Sequence, residues 1–163
     1  MNFDDLTKIL KEYSPNDILF VGLGNDYRGD DGVGLFFLKR LQQCPQFSDS
    51  HFLAAGTNPE NYLQKILDYE PHLLIFIDCA EWHSEPGTID WLNSKTIDAV
   101  NISTHAFSMK LIENFLKFHQ EIEIRYIGIH PFEKYLGKGM TLHLAQKIDE
   151  FFHAASKPQL GST

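Results

Sequence analysis

Ile18-Leu19-Phe20-Val21-Gly22-Leu23-Gly24-Asn25, followed by Gly29-Asp30-Asp31-Gly32-Val33-Gly34, is the stretch that decides how this chain folds. Asp17 to Leu23 holds an unbroken apolar run between Pro15 and the glycines Gly22 and Gly24, the pattern of a short buried strand. A glycine-rich loop runs from Gly24 to Gly32. Beyond it Val33, Phe36, Phe37, Arg40 and Leu41 fall at helical spacing. Asp30 and Asp31 stand at the front of that helix, where an acid suits both an N-cap and the positive end of the helix dipole.

Strand, loop and helix then recur along the chain. Ser50 to Ala54 reads as the next strand, and Gly56-Thr57-Asn58-Pro59 as its turn. A helix near Pro59 carries Leu63, Ile66 and Leu67 on one face. His72 to Ile77 is the most apolar segment, as expected of a central strand covered on both faces, and it ends at Asp78. The turn Glu85-Pro86-Gly87 leads into a short strand over Thr88 to Leu92, followed by an irregular stretch. A helix then carries Phe107, Leu111, Phe115 and Leu116 on its apolar side, and Glu121 to Ile129 alternates as a strand. The last helix, about Thr141 to Ala155, turns Leu142, Leu144, Ile148, Phe151 and Phe152 inward. The expectation is an α/β fold: a twisted, mostly parallel sheet of about five strands with helices on both faces. One domain spans residues 1–163, with its core over about 17–153 and a disordered tail from about residue 157.

Composition narrows the function. With 43% hydrophobic and 22% charged residues in 163, the chain has the make-up of a globular domain. A net charge of −8 speaks against nucleic acid, whose phosphates require Lys and Arg, and is compatible with a partner that carries a cation or metal. No segment approaches the roughly 20 apolar residues of a membrane span. Met1 to Tyr13 carries Asp4, Asp5 and Glu12 and no apolar core, so a signal peptide is not expected and the cytoplasm is the expected location. Cys44 and Cys79 are too few for a disulfide framework and read as small buried hydrophobes.

In sheets of this kind ligands gather at the carboxyl ends of the strands. That rule selects Asn25 to Asp31, Gly56-Thr57, Asp78 to Glu85 and His130-Pro131, with His105 facing the same rim. Asp31, Asp78 and His105 form a mixed oxygen and nitrogen set suited to a divalent transition metal. They lie on different elements, so spacing alone does not prove that they meet. Each also has an ordinary reading: Asp31 as a helix cap, Asp78 as a cap of a neighbouring turn, His105 as a surface or backbone-bonded residue. Asp30 is either the cap or a carboxylate that positions or deprotonates a water. His83 competes as a ligand near Asp78, although a surface position suits it better. Gly22-Leu23-Gly24-Asn25 lacks the third glycine of a dinucleotide loop, and two acids at a helix entrance repel phosphate. There is no Gly-x-Ser-x-Gly elbow and no His-Glu-x-x-His helix.

Taken in order, these segments resemble the hydrogenase maturation protease family. Ile18 to Asn25 with Gly29 to Gly34 is similar to its N-terminal signature. Gly56-Thr57-Asn58-Pro59-Glu60-Asn61 resembles its second glycine loop, in the form of the branch that matures hydrogenase 3-type enzymes. Asp78 with Glu85-Pro86-Gly87 resembles its central strand and turn, Ser103-Thr104-His105 its histidine loop, and Ile127-Gly128-Ile129-His130-Pro131 its last strand end. Peptidyl-tRNA hydrolases open similarly but continue with an arginine–histidine–asparagine segment that this chain lacks. The resemblance covers about residues 17 to 153. It implies an endopeptidase that removes a C-terminal extension from the precursor of a nickel–iron hydrogenase large subunit after nickel insertion. By position it implies that Asp31, Asp78 and His105 contact the metal; Asp30 and Asp31 are the catalytic candidates, Asp30 as a carboxylate that would aid attack by water. The nickel would arrive with the precursor; a protein-bound ion such as zinc on the same ligands is the alternative. The protease is expected to act as a monomer, and a non-cleaving nickel checkpoint or chaperone is the rival function. Two departures stand out: some relatives have glutamate at Asp31, and the usual glutamine before the last proline is His130 here.

Overall fold

Leu73 to Cys79 is buried at every position, and so is Ile18 to Leu23. Runs with so few polar side chains are stable only when both faces are covered. The computed structural model, which describes residues 1–99 and 109–153, supplies that cover. Among the described residues the sheet has the order β2 (His51–Gly56), β1 (Ile18–Leu23), β3 (Leu73–Cys79), β5 (Glu123–Ile129), β4 (Ile89–Leu92). The first four are mutually parallel, and β4 closes the edge antiparallel to β5. The α/β expectation and its mostly parallel sheet are therefore what the structure has.

Residue alternation divides the core into two layers. Ile18 and Phe20 of β1, with Leu73, Ile75 and Ile77 of β3, pack with α1 (Phe3–Thr7), α2 (Val33–Gln42) and α6 (Leu142–His153). Leu19, Val21 and Leu23, with Leu74 and Phe76, pack with α3 (Leu63–Asp68) and α5 (Met109–His119). Each fully buried side chain of this size contributes about 1.5–3 kcal/mol. Phe37 of α2 meets Phe151 and Phe152 of α6 with ring centroids 5.2 and 4.8 Å apart. Phe3 packs on the same pair, so the core reaches back into the first residues of the chain.

Helix phase is where the expectation slipped. On α5 the buried residues are Met109, Ile112 and Leu116, whereas Leu111 and Phe115 are exposed. Two apolar stripes run along this helix, and the sheet accepts the one that includes Ile112. Leu142, expected inward, opens α6 and is 73% exposed, while Leu144, two residues on, is fully buried. The irregular stretch after Leu92 contains a short helix, α4 (Ser94–Ala99). Phe107, His105 and the tail from residue 157 lie outside the described residues. Among the described residues no helix is long and apolar enough to cross a membrane.

Candidate functional site

The chain passes from β1 to β2 on one side and later returns to β3 on the other, so β1 and β3 are neighbours across a topological switch point. Two glycines bring the β1–α2 loop down onto it. Gly24 has φ +122°, and a Cβ there would sit 2.0 Å from the Asp31 carbonyl oxygen. That carbonyl accepts a hydrogen bond from the Asn25 N–H (3.2 Å), which closes the loop on itself. A Cβ on Gly34 would lie 2.3 Å from the Leu23 carbonyl oxygen and 2.4 Å from that of Ile77. Only hydrogen fits, so the first turn of α2 rests directly on the ends of β1 and β3.

A single 3-10 turn, Gly29–Gly32, sets the two adjacent acids on different tasks, and neither caps a helix. Asp30 is 0% exposed and fully occupied. Its Oδ2 accepts from the N–H groups of Phe132 (2.8 Å) and Glu133 (3.0 Å) and from the Thr141 hydroxyl (2.9 Å); its Oδ1 accepts from the Thr141 N–H (2.7 Å). Asp31 is 1% exposed, and neither carboxylate oxygen has a hydrogen-bond partner among the described residues. The positive end of the α2 dipole offers such a group about 0.3–1 kcal/mol, well below the several kcal/mol that desolvating a carboxylate costs. Asp31 is therefore built to meet something that the described residues do not supply.

Asp78 follows Leu74 and Phe76 in the alternation of β3, which turns it to the face packed by α3 and α5. It is buried, and its Oδ1 accepts from the Cys79 N–H at 2.7 Å. The neighbouring Cys79 thiol is also buried, and desolvation pushes its pKa well up. Lys134 opposes that shift, while Asp78, Asp31 and Glu81 reinforce it. Asp31 and Asp78 each lie near enough to Cys79 for their charges to act on its thiol. Among the described residues no group of three His, Cys, Asp or Glu side chains forms a metal site. The expected third member, His105, lies outside the described residues, in the sequence shortly before α5.

His130, at the end of β5, holds Ser84 through Nδ1 at 2.8 Å, with the Trp82 ring 5.5 Å away. Burial holds its pKa below the usual value for histidine, against the opposing charges of Glu81 and Glu85. His83 is exposed on the surface. The Ser84–His130 pair and the clamp of Thr141 on Asp30 had no sequence signal. A lowered pKa means that the unfolded chain binds the proton more readily, so stability falls as pH drops below the unperturbed value of about 6.5. Urea denaturation of the parent should therefore lose more stability between pH 7 and pH 5.5 than that of His130→Gln. An equal loss in both would mean that the imidazole is freely hydrated.

With this geometry in view, comparison with known proteins is direct. The family profile described as hydrogenase maturation protease matches residues 37–160. The chain belongs to that family. It is accordingly a peptidase, and the carboxyl-end rim is where its chemistry is to be sought. A candidate hydrogenase maturation protease of Methanocaldococcus jannaschii is 26% identical over 121 residues, covering 70% of this chain and 72% of that one. The NiFe-hydrogenase maturation protease HycI from Thermococcus kodakarensis KOD1 shares the fold with a TM-score of 0.78 at 24% identity, over 92% of this chain and 95% of its own. The endopeptidase HycI from Escherichia coli gives 0.70 at 20% identity, over 88% and 96%. This maturation protease therefore keeps the family sheet through wide sequence divergence.

Proposed function

We propose that this maturation protease removes the C-terminal extension from the precursor of a nickel–iron hydrogenase large subunit, after nickel insertion, by engaging the precursor's own nickel through Asp31, Asp78 and His105. The observation that carries the reading is the Asp31 carboxylate, buried at the switch point with both oxygens unpartnered among the described residues. A buried anion without donors is costly in the free enzyme and becomes favourable when a cation reaches it. The requirement for nickel follows: without the ion the rim has nothing to bind, and the peptide is not placed. Carboxylate and imidazole donors suit nickel or zinc.

The metal supplies polarisation of the scissile carbonyl for attack by water. The chain supplies position. Asp31 and Asp78 would hold the ion at the ends of β1 and β3, and Asp30 holds the neighbouring loop. With four donors on its oxygens, Asp30 acts as a positioning residue in this reading, not as the base. We place the enzyme in the cytoplasm as a monomer. We assign it to the hydrogenase 3-type branch on its Gly56-Thr57-Asn58-Pro59-Glu60-Asn61 loop.

The test is mass spectrometry of cognate precursor incubated with enzyme, nickel-loaded against nickel-free. Loss of a C-terminal peptide from the loaded form alone is the expected result. Equal cleavage of both forms would remove nickel recognition and leave a protease whose metal, such as zinc, is its own. An unchanged mass for a loaded, authentic precursor would replace cleavage by a checkpoint role.

A further inference from the structure

The loop that follows β5, residues 131–141, is fastened to the β1–α2 loop along its length. The Gly29 N–H donates to the Lys138 carbonyl (2.7 Å), the Asp30 N–H to that of Glu133 (2.9 Å), and the Gly137 N–H to that of Tyr27 (2.7 Å). The Asp30 carboxylate adds its bonds to Phe132, Glu133 and Thr141. So strongly held a backbone would be expected to bury its large side chains. It presents them to water instead. Leu136 is 80% exposed and Tyr27 79%, beside exposed Tyr135 and Leu142. Several large apolar side chains exposed on tethered backbone are the mark of an interaction site.

Charge identifies the kind of partner. The chain as a whole carries −8, yet residues 131–141 hold Lys134 and Lys138 against the single acid Glu133. Lys138 places its ammonium 5.1 Å from the centre of the Tyr135 ring, and Lys134 lies 3.4 Å from a Glu81 carboxylate oxygen at the site rim. An apolar strip edged by lysine fits a peptide with apolar side chains and a carboxylate, and every C-terminal extension ends in one. Continuity supplies the second argument. The strap that holds this loop is the turn that carries Asp31, so a peptide laid on the loop leads into the site. A cavity of about 1310 Å³ lies at the opposite end of the sheet. Among its charged groups, Asp17 pairs with His72 and Glu12 with Arg125.

We propose that the 131–141 loop is the docking platform for the precursor's C-terminal extension, with Tyr27, Tyr135, Leu136 and Leu142 taking its apolar side chains and Lys138 its carboxylate. The inference rests on the cleavage reading for the identity of the peptide. Its mechanical basis is Asp30, which holds platform and site in one register.

Two measurements test it: steady-state processing of nickel-loaded precursor, and fluorescence anisotropy of a labelled synthetic peptide with the extension sequence. The variants are the double substitution Tyr135→Ser with Leu136→Ser, the single Lys138→Glu, and Phe118→Ser on exposed α5 as a remote control. The platform variants should raise KM about tenfold with kcat within about twofold, the signature of lost uniform binding. They should weaken the peptide to match, and Phe118→Ser should change neither. Unchanged KM and unchanged peptide binding in the platform variants would overturn the platform while leaving cleavage intact. Peptide binding that depends on the loop, in an enzyme that cuts nothing, would keep the platform and refute cleavage.

Discussion

Asp31→Ala is expected to abolish processing of nickel-loaded precursor while leaving the protein at least as stable as its parent. Both halves follow from one observation, a carboxylate 1% exposed whose two oxygens lack partners among the described residues. Leaving a buried polar group unsatisfied costs about 1–3 kcal/mol, and more when it is charged. Alanine removes that cost. It forfeits only the attraction of the α2 dipole, about 0.3–1 kcal/mol, and opens a small void. A net gain of about 1–2 kcal/mol in urea denaturation is the expected balance. Processing should fall by more than the roughly 10–100-fold that an indirect, outer-shell partner of a metal commands. A variant destabilised by more than about 1 kcal/mol would show that Asp31 is a structural residue. Full processing would take it out of the site.

Asp30→Ala should give the opposite signature, although the residue is adjacent. Its carboxylate gathers the N–H groups of Phe132, Glu133 and Thr141 and the Thr141 hydroxyl. Alanine leaves all of these donors without their acceptor. Hydrogen bonds to a charged group are worth about 1.5–3 kcal/mol each, and partial hydration of the freed loop will recover some of that. A loss of about 3–5 kcal/mol is expected, the range measured when one partner of a buried ionic contact is deleted. Residual activity, assayed where the variant is still folded, should show its defect chiefly in KM, since the platform is what comes loose. Asp30→Asn, which keeps one acceptor oxygen, should fall between parent and alanine. Unchanged stability together with unchanged KM would contradict the clamp.

The contrast marks the limit of what the sequence conveys. The strands were legible because β1 and β3 are unbroken apolar runs, which only a doubly covered sheet accommodates. The carboxyl-end rule then located Asp31 and Asp78 from those strands alone. Helix phase was less legible. On α5, Leu111, Phe115 and Phe118 repeat at helical spacing as well as Ile112 and Leu116 do, and the choice belongs to the sheet beneath. The division of labour between Asp30 and Asp31 could not be read at all. It depends on the direction in which each side chain leaves one tight turn, and on Thr141, which is 111 positions from Asp30 in sequence. The pairing of Ser84 with His130 across 46 positions is equally non-local.

The buried thiol of Cys79 has a consequence for turnover. A thiolate is a strong ligand for transition metals, but Cys79, next to Asp78 in sequence, is turned by the alternation of β3 into the opposite core layer. Burial keeps it protonated, and a thiol is a poor ligand where a thiolate is a strong one. On the proposed reading, the enzyme's grip on a visiting ion would then rest on oxygen and imidazole, and the cysteines of the precursor would keep the nickel. A thiolate in the site would compete for the metal; a site restricted to harder donors would let the finished subunit leave with its nickel.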